Sequence, residues 1–206
     1  MKEHPIPFSQ EMVRAILDER KTQTRRVIKP QPLWVGEPSV PFKTKDCNPN
    51  GIINCPYGKK GDWLWVRETW YYEEHMHDLT AGEPDLPNGR YKQRCVYRAS
   101  SPDYPVNVGV GKQGWTPSIH MPRWASRITL EIDEVRVERL QNITKEDAMD
   151  EGVIPLMCPG DYREAFKNLW DVIYSKRGYG WEVNPLVWVI EFHIKCVLLP
   201  KQNHVE

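Results

Sequence analysis

The period of the apolar positions changes along the chain, and each change marks an element. Met12, Val13, Ile16 and Leu17 recur at helical spacing, Glu11, Arg14 and Asp18 fall on the wet side, and Ser9 stands where an N-cap belongs. They predict a helix over 9–19, preceded by a short extended piece at 6–8. Phe166, Leu169, Trp170 and Ile173 repeat at i, i+3, i+4 and i+7, which predicts an amphipathic helix over 163–176 ended by Gly178. Thr144, with Asp147 three residues later, has the form of a capping box and opens a short helix over 144–152 that stops at Gly152.

Strand patterns fill the intervals. Bulky and β-branched residues over 63–70 follow the Gly61-Asp62 turn, and another strand is read at 91–98. The segment 187–197 puts Trp188, Ile190, Phe192 and Ile194 on one side. From Arg127, the residues Ile128, Leu130 and Ile132 share a face; Asp133-Glu134 then shifts the phase, and Val135 and Val137 continue one position out of step. A slip of one residue is what a β-bulge produces, and bulges bend strands, so the sheet is predicted to curve. Segments 31–60, 78–90 and 101–117 are rich in Pro, Gly and Asn and read as loops or insertions. Strands scattered among three helices point to an α+β or small-barrel fold and argue against a doubly wound one.

Composition narrows the function classes. At 206 residues the chain suits one domain with insertions. Its 28 Lys and Arg balance 28 Asp and Glu, so no global positive field draws it to nucleic acid or membrane, and any basic site must be local. No apolar run approaches the about 20 residues of a membrane span, and the first residues lack the apolar segment of a signal peptide; a cytoplasmic chain without a membrane partner is expected. Cys47, Cys55, Cys95, Cys158 and Cys196 form no C-x₂-C pair, so reduced thiols are expected and neither disulfides nor zinc. Gly-rich phosphate loops, an H-E-x-x-H helix and a Ser-His-Asp order are missing, and no metal or cofactor is expected.

Arg20, Lys21, Arg25 and Arg26 crowd four cations into seven residues of a polar run, 18–26, that reads as a turn between helix and strand. Two readings stay open. The run can be a solvated or phosphate-contacting edge, as most basic clusters are. Alternatively, three guanidinium groups oppose protonation of Lys21 and burial lowers its pKa further, leaving an amine able to take the proton of the Thr24 hydroxyl three residues on.

Lys21-Thr22-Gln23-Thr24-Arg25-Arg26, directly after an amphipathic helix, resembles the G-x-K-x-x-T-x-R signature of ASCH domains, a branch of the PUA-like β-barrel superfamily. The Gly61-Asp62 turn with Trp63-Leu64-Trp65-Val66, the strand from Arg127, the helix from Thr144 and the closing Trp188-Val189-Ile190-Glu191-Phe192 strand follow in the order such domains show. The chain also resembles the longer ASCH proteins common in phages. The resemblance implies an α+β fold in which a PUA-like bent β-barrel carries flanking helices, as one ASCH domain over 1–206 with insertions at about 30–60 and 71–117.

Small bacterial members of that family are amidohydrolases on N4-acetylcytidine that use a lysine, a threonine and a glutamate. Lys21 and Thr24 fall on the first two positions, and aligning Ile143-Thr144 with the family's Leu-Thr helix start puts the third at Glu151. The resemblance implies that Thr24 attacks the amide carbonyl, Lys21 takes the hydroxyl proton and Glu151 moves protons to the leaving amine, while Arg26, on the signature's arginine, steadies the oxyanion. Glu19 stands where the signature has glycine, and pairing with Lys21 or Arg20 there would keep the lysine charged.

Other residues have two readings each. Glu68 on a strand of large aromatics can receive a base-edge amino group, as Glu does with cytosine N4, or simply pair with an arginine. Trp65 and Trp124 are stacking platforms or barrel plugs, and His120, in the Pro-stiffened segment 115–126, is a general acid or base candidate. The leading expectation is removal of an N-acyl group from a nucleoside or nucleobase. The rivals are an RNA-binding module, with Arg20, Lys21, Arg25 and Arg26 on phosphates, and a ribonuclease in which Lys21 and the arginines stabilise a phosphorane-like state.

Overall fold

In a computed structural model the described residues are 1–31, 54–72, 95–104, 114–155 and 161–198. The elements follow as β1 (Glu3–Pro7), α1 (Gln10–Leu17), β2 (Gln23–Val27), β3 (Trp63–Arg67), β4 (Trp70–Tyr72), β5 (Cys95–Tyr97), β6 (Ile128–Arg139), α2 (Lys145–Asp150), α3 (Tyr162–Tyr174) and β7 (Leu186–Val197). A five-stranded sheet has the order β1-β3-β6-β7-β2, with β1 parallel to β3 and its other pairs antiparallel; β4 and β5 pair apart from it. The class is α+β.

The local signals act where the pattern put them. Ser9 caps α1 by accepting from the Met12 amide, and Thr144 and Asp147 form the reciprocal capping box of α2. The β6–β7 register shifts between Ile132 and Glu134, the bulge implied by the phase change at Asp133. Ile128, Leu130 and Ile132 then share one core cluster with Val135 and Val137 packed against it. Strand β7 is buried on both faces: Leu186, Trp188, Ile190 and Phe192 enter the first core with α1, and Val187 and Val189 enter a second core under α2 and α3.

The two edge strands of the sheet meet through one side chain. Laid flat, five strands would hold β1 and β2 about 19 Å apart at about 4.8 Å per step. Instead the Arg26 guanidinium on β2 donates to the Pro7 carbonyl on β1 at 2.7 Å. Among the described residues the backbone ladder still ends at β1 and β2, so this joint is made by a side chain. Pro5 and Pro7 lie in edge strand β1, where a missing N–H costs nothing to a ladder.

Three expectations change. The run 18–26 is a turn only to Arg20; Gln23–Val27 is strand, because it continues the sheet along β7. The strand expected over 63–70 breaks after Arg67, where Glu68 turns inward onto Arg127 and Trp70 joins β5 instead. On α3 the buried stripe is Phe166, Trp170 and Tyr174, packed on Val27, Val187 and Val189, while Ile173 is 43% exposed. Of the strand read at 91–98, Cys95–Tyr97 is strand and 91–94 lie outside the described residues. So do 78–90, most of 31–60 and 101–117, and Cys47 and Cys158; Cys55 and Cys196 are free thiols. No helix among the described residues is long and apolar enough to cross a membrane.

Candidate active site

Residues of β2 alternate between the two faces of the sheet. Gln23, Arg25 and Val27 lie opposite Glu191, Val189 and Val187, on the side covered by α2 and α3. Thr24 and Arg26 lie opposite Ile190 and Trp188, on the side of the first core. Lys21 precedes the strand and sits where these faces meet.

Lys21 is 3% exposed, and all three of its ammonium protons have acceptors: Oε2 of Glu151 at 2.8 Å, the Glu151 carbonyl at 2.8 Å and the Gln23 carbonyl at 2.7 Å. Burial pushes the Lys21 pKa down, the Glu151 carboxylate resists, and Arg26 and Arg25 add to the fall. Glu151 is the C-cap of α2 and is also buried, and an isolated bridge pairs its backbone with that of Lys21 across 130 residues of sequence. Gly152 follows at φ +78°, and a Cβ there would stand 2.8 Å from the Cβ atoms of Lys21 and Ala15. A glycine is what lets the end of α2 come this close.

Glu19 does not reach this pair. The Glu19 amide donates to the Ile16 carbonyl and the Arg20 amide to the Ala15 carbonyl, both at 2.9 Å, which is the Schellman closure of α1 with Glu19 at φ 57°. The position that the signature gives to glycine is thus a left-handed helix end, and the Glu19 side chain is exposed.

Around Glu151 lies a charged layer that the sequence pattern did not reveal. Arg25 is fully buried at its side chain and meets Glu151 at 3.3 Å, Asp147 at 3.1 Å and Glu138 at 3.4 Å. Gln23 bonds Arg25, Asp147 and Glu191, and Arg136 bonds Glu138 and Glu191. The available signal was the alternation of Gln23 and Arg25 with Thr24 and Arg26, a period of two inside a run that reads as turn.

The Thr24 hydroxyl is 4% exposed with its residue and forms no hydrogen bond among the described residues, to Lys21 or to any other group. Arg26, on the same face, lies with its guanidinium 5.2 Å from the centre of the Phe8 ring, and the Lys21 ammonium stands 5.6 Å from that centre. The Arg26 Nε–H is buried without a partner. Strand β2 thus carries the Thr24 hydroxyl and the unpaired Arg26 donor on one face.

The remaining sequence candidates stand elsewhere. Glu68 is 1% exposed and bidentate with Arg127, Oε1 at 2.8 Å and Oε2 at 3.0 Å, so its carboxylate is an internal ion pair and offers no edge to a base. Trp124 is half-buried and packs edge-on against Trp70 and Tyr72 beside a third core cluster. Trp65 is half-buried on β3 beneath Arg67, and His120 is exposed on a short 3₁₀ turn. Arg20 is exposed, pairing with Asp18 and donating to the Gly152 carbonyl. A groove of about 700 Å³ between α1, 152–155 and α3 is lined by Met12, Arg20, Gly152, Val153 and Leu169 among others, and neither Lys21 nor Thr24 lines it. No group of residues able to hold a metal occurs among the described residues.

No family model and no curated protein matches the chain. Protein EF3133 from Enterococcus faecalis V583, whose crystal structure is titled with family model DUF984, is similar at 8% identity over 96% of this chain and 83% of that one, with a TM-score of 0.44.

Proposed function

We propose that the chain is an amidohydrolase that removes an N-acyl group from a modified nucleoside or nucleobase, built as one ASCH-type domain on a PUA-like barrel. The observation that carries the reading is the buried 2.8 Å contact between Lys21 and Glu151, which fall on the lysine and glutamate positions that the ASCH resemblance implies. The rolled sheet, with its edges joined through Arg26, supports the barrel reading. The polynucleotide readings need exposed cations, and of the basic run Lys21 and Arg25 are both 3% exposed and spent on carboxylates.

In this reading Glu151 takes one proton from the Lys21 ammonium, and the neutral amine leaves the Gln23 carbonyl for the Thr24 hydroxyl. Lys21 accepts the hydroxyl proton as Thr24 Oγ1 bonds to the acyl carbon, and the Arg26 Nε–H receives the oxyanion. Glu151 gives its proton to the leaving nitrogen as the C–N bond breaks, which restores the ion pair beside an acyl-threonine. Water then repeats the sequence, giving a proton to Lys21 and attacking the ester, while Glu151 returns the proton to Thr24 as carboxylic acid is released.

Purified protein incubated with N4-acetylcytidine tests this by chromatography of the released cytidine. Turnover is expected in the wild type, with loss of activity in Thr24→Ala and in Lys21→Ala. Activity that survives either substitution in a folded variant removes the mechanism.

A further inference from the structure

Glu151 divides its two carboxylate oxygens between two cations. Oε2 faces Lys21 at 2.8 Å, and Oε1 faces Nη1 of Arg25 at 3.3 Å. The other end of that guanidinium holds Asp147 at 3.1 Å and Glu138 at 3.4 Å. Asp147 and Glu151 are one turn apart on α2, a helix of six residues that is too short to hold its shape alone. One planar fork therefore grips both ends of the helix and ties it to β6. It also fixes the Glu151 carbonyl, which is itself an acceptor of the Lys21 ammonium. A lysine, with one compact charge, cannot span these partners.

We propose that Arg25 is a positioning residue, which holds one oxygen of Glu151 so that the other stays aimed at Lys21 and keeps the pair poised to pass its proton. The kinetic part of this inference rests on the amidohydrolase reading; the geometric part does not. The charges that face the pair are Arg25 and Arg26 on β2, Arg136 and Glu138 on β6, Glu191 on β7, and Asp147 and Asp150 on α2. Arg25 is the cation among them that touches Glu151 directly, and its charge also opposes protonation of Lys21.

Two variants separate charge from grip. Arg25→Met removes both, and Arg25→Lys keeps a cation without the fork. The first readout is the side-chain ¹⁵N signal of the Lys21 ammonium, identified by its loss in Lys21→Arg and followed against pH. Loss of Arg25's charge is expected to move its titration to higher pH in Arg25→Met and leave it near the wild-type position in Arg25→Lys. The second readout is hydrolysis of N4-acetylcytidine. There kcat is expected to fall on the order of 100-fold in Arg25→Met with KM little changed, because a misplaced proton carrier costs rate rather than binding. Arg25→Lys is expected to restore only part of kcat.

A folded Arg25→Met with an unmoved Lys21 signal overturns the proposal, and so does an Arg25→Lys with wild-type kcat, which also decides the matter should Arg25→Met fail to fold. If the ammonium shifts as expected while the wild type hydrolyses nothing, Arg25 positions the pair and the amidohydrolase reading is what fails.

Discussion

Replacing Gly152 by alanine tests how closely the end of α2 is pressed onto Lys21. Two costs add. The backbone at φ +78° is a left-handed conformation that costs an L-residue about 1–2 kcal/mol. The new Cβ would also meet the Cβ atoms of Ala15 and Lys21 at 2.8 Å, closer than such atoms come. Neither neighbour can rotate away, because a Cβ is fixed by its backbone, so α1, the start of β2 or the end of α2 must shift. Overpacking of this kind costs about 1–3 kcal/mol. Gly178 supplies the control: its φ is +80°, and a Cβ at that position would have nothing within 4 Å. Gly178→Ala should therefore lose about 1–2 kcal/mol, the conformational cost alone, and Gly152→Ala about 2–5 kcal/mol in urea unfolding at neutral pH. The difference between the two variants measures the contact. Equal losses would refute the claim that Gly152 is needed for close approach and leave it as an ordinary helix stop.

Glu19→Gly relieves the same left-handed conformation at the end of α1, where the side chain has no role in the Lys21 pair, and should gain about 1 kcal/mol in urea unfolding without changing the Lys21 titration. Glu151→Leu leaves the Lys21 ammonium buried without its counter-charge and should cost about 3–5 kcal/mol, much of it recovered in the Lys21→Met, Glu151→Leu double variant; a double-variant loss equal to the sum of the Lys21→Met and Glu151→Leu losses would show that the two do not interact. Burial raises the Asp147 carboxyl, but the Thr144 amide, the Arg25 charge and Gln23 outweigh it and hold it below its ordinary 3.8. A carboxyl lowered in the fold contributes stability that is complete above its unfolded value and lost as pH falls through the folded one. Asp147→Asn should then flatten the decline of the urea midpoint below about pH 4, and an unchanged slope would exclude that contribution.

Helix starts, the bulge and the faces of β7 were legible because each is written in neighbouring residues. The capping box needs only Thr144 and Asp147, and the phase slip at Asp133 needs only the stretch from Ile128 to Val137. The basic run shows where this legibility stops. Its charges read as surface, yet Arg25 is fully buried at its side chain, because carboxylates from β6 and α2, more than 110 residues away in sequence, arrive to pair with it. Glu68 likewise kept two readings until Arg127, 59 residues on, proved to be its partner. On α3 the spacing pointed to Ile173, and the second core under β7 took Tyr174 instead.

The amino-acid order alone set the three helices, the bulge of β6 and the presence of a lysine, a threonine and an arginine on one short segment. Only the tertiary structure decided that Lys21 meets Glu151, that Arg25 turns inward and that Glu19 turns out. The physical reason is that caps and periods follow from the geometry of one stretch of backbone, whereas which charges meet depends on the register of β2, β6 and β7 and on where α2 ends. That register is a property of the assembled sheet, and no local repeat in the chain encodes it.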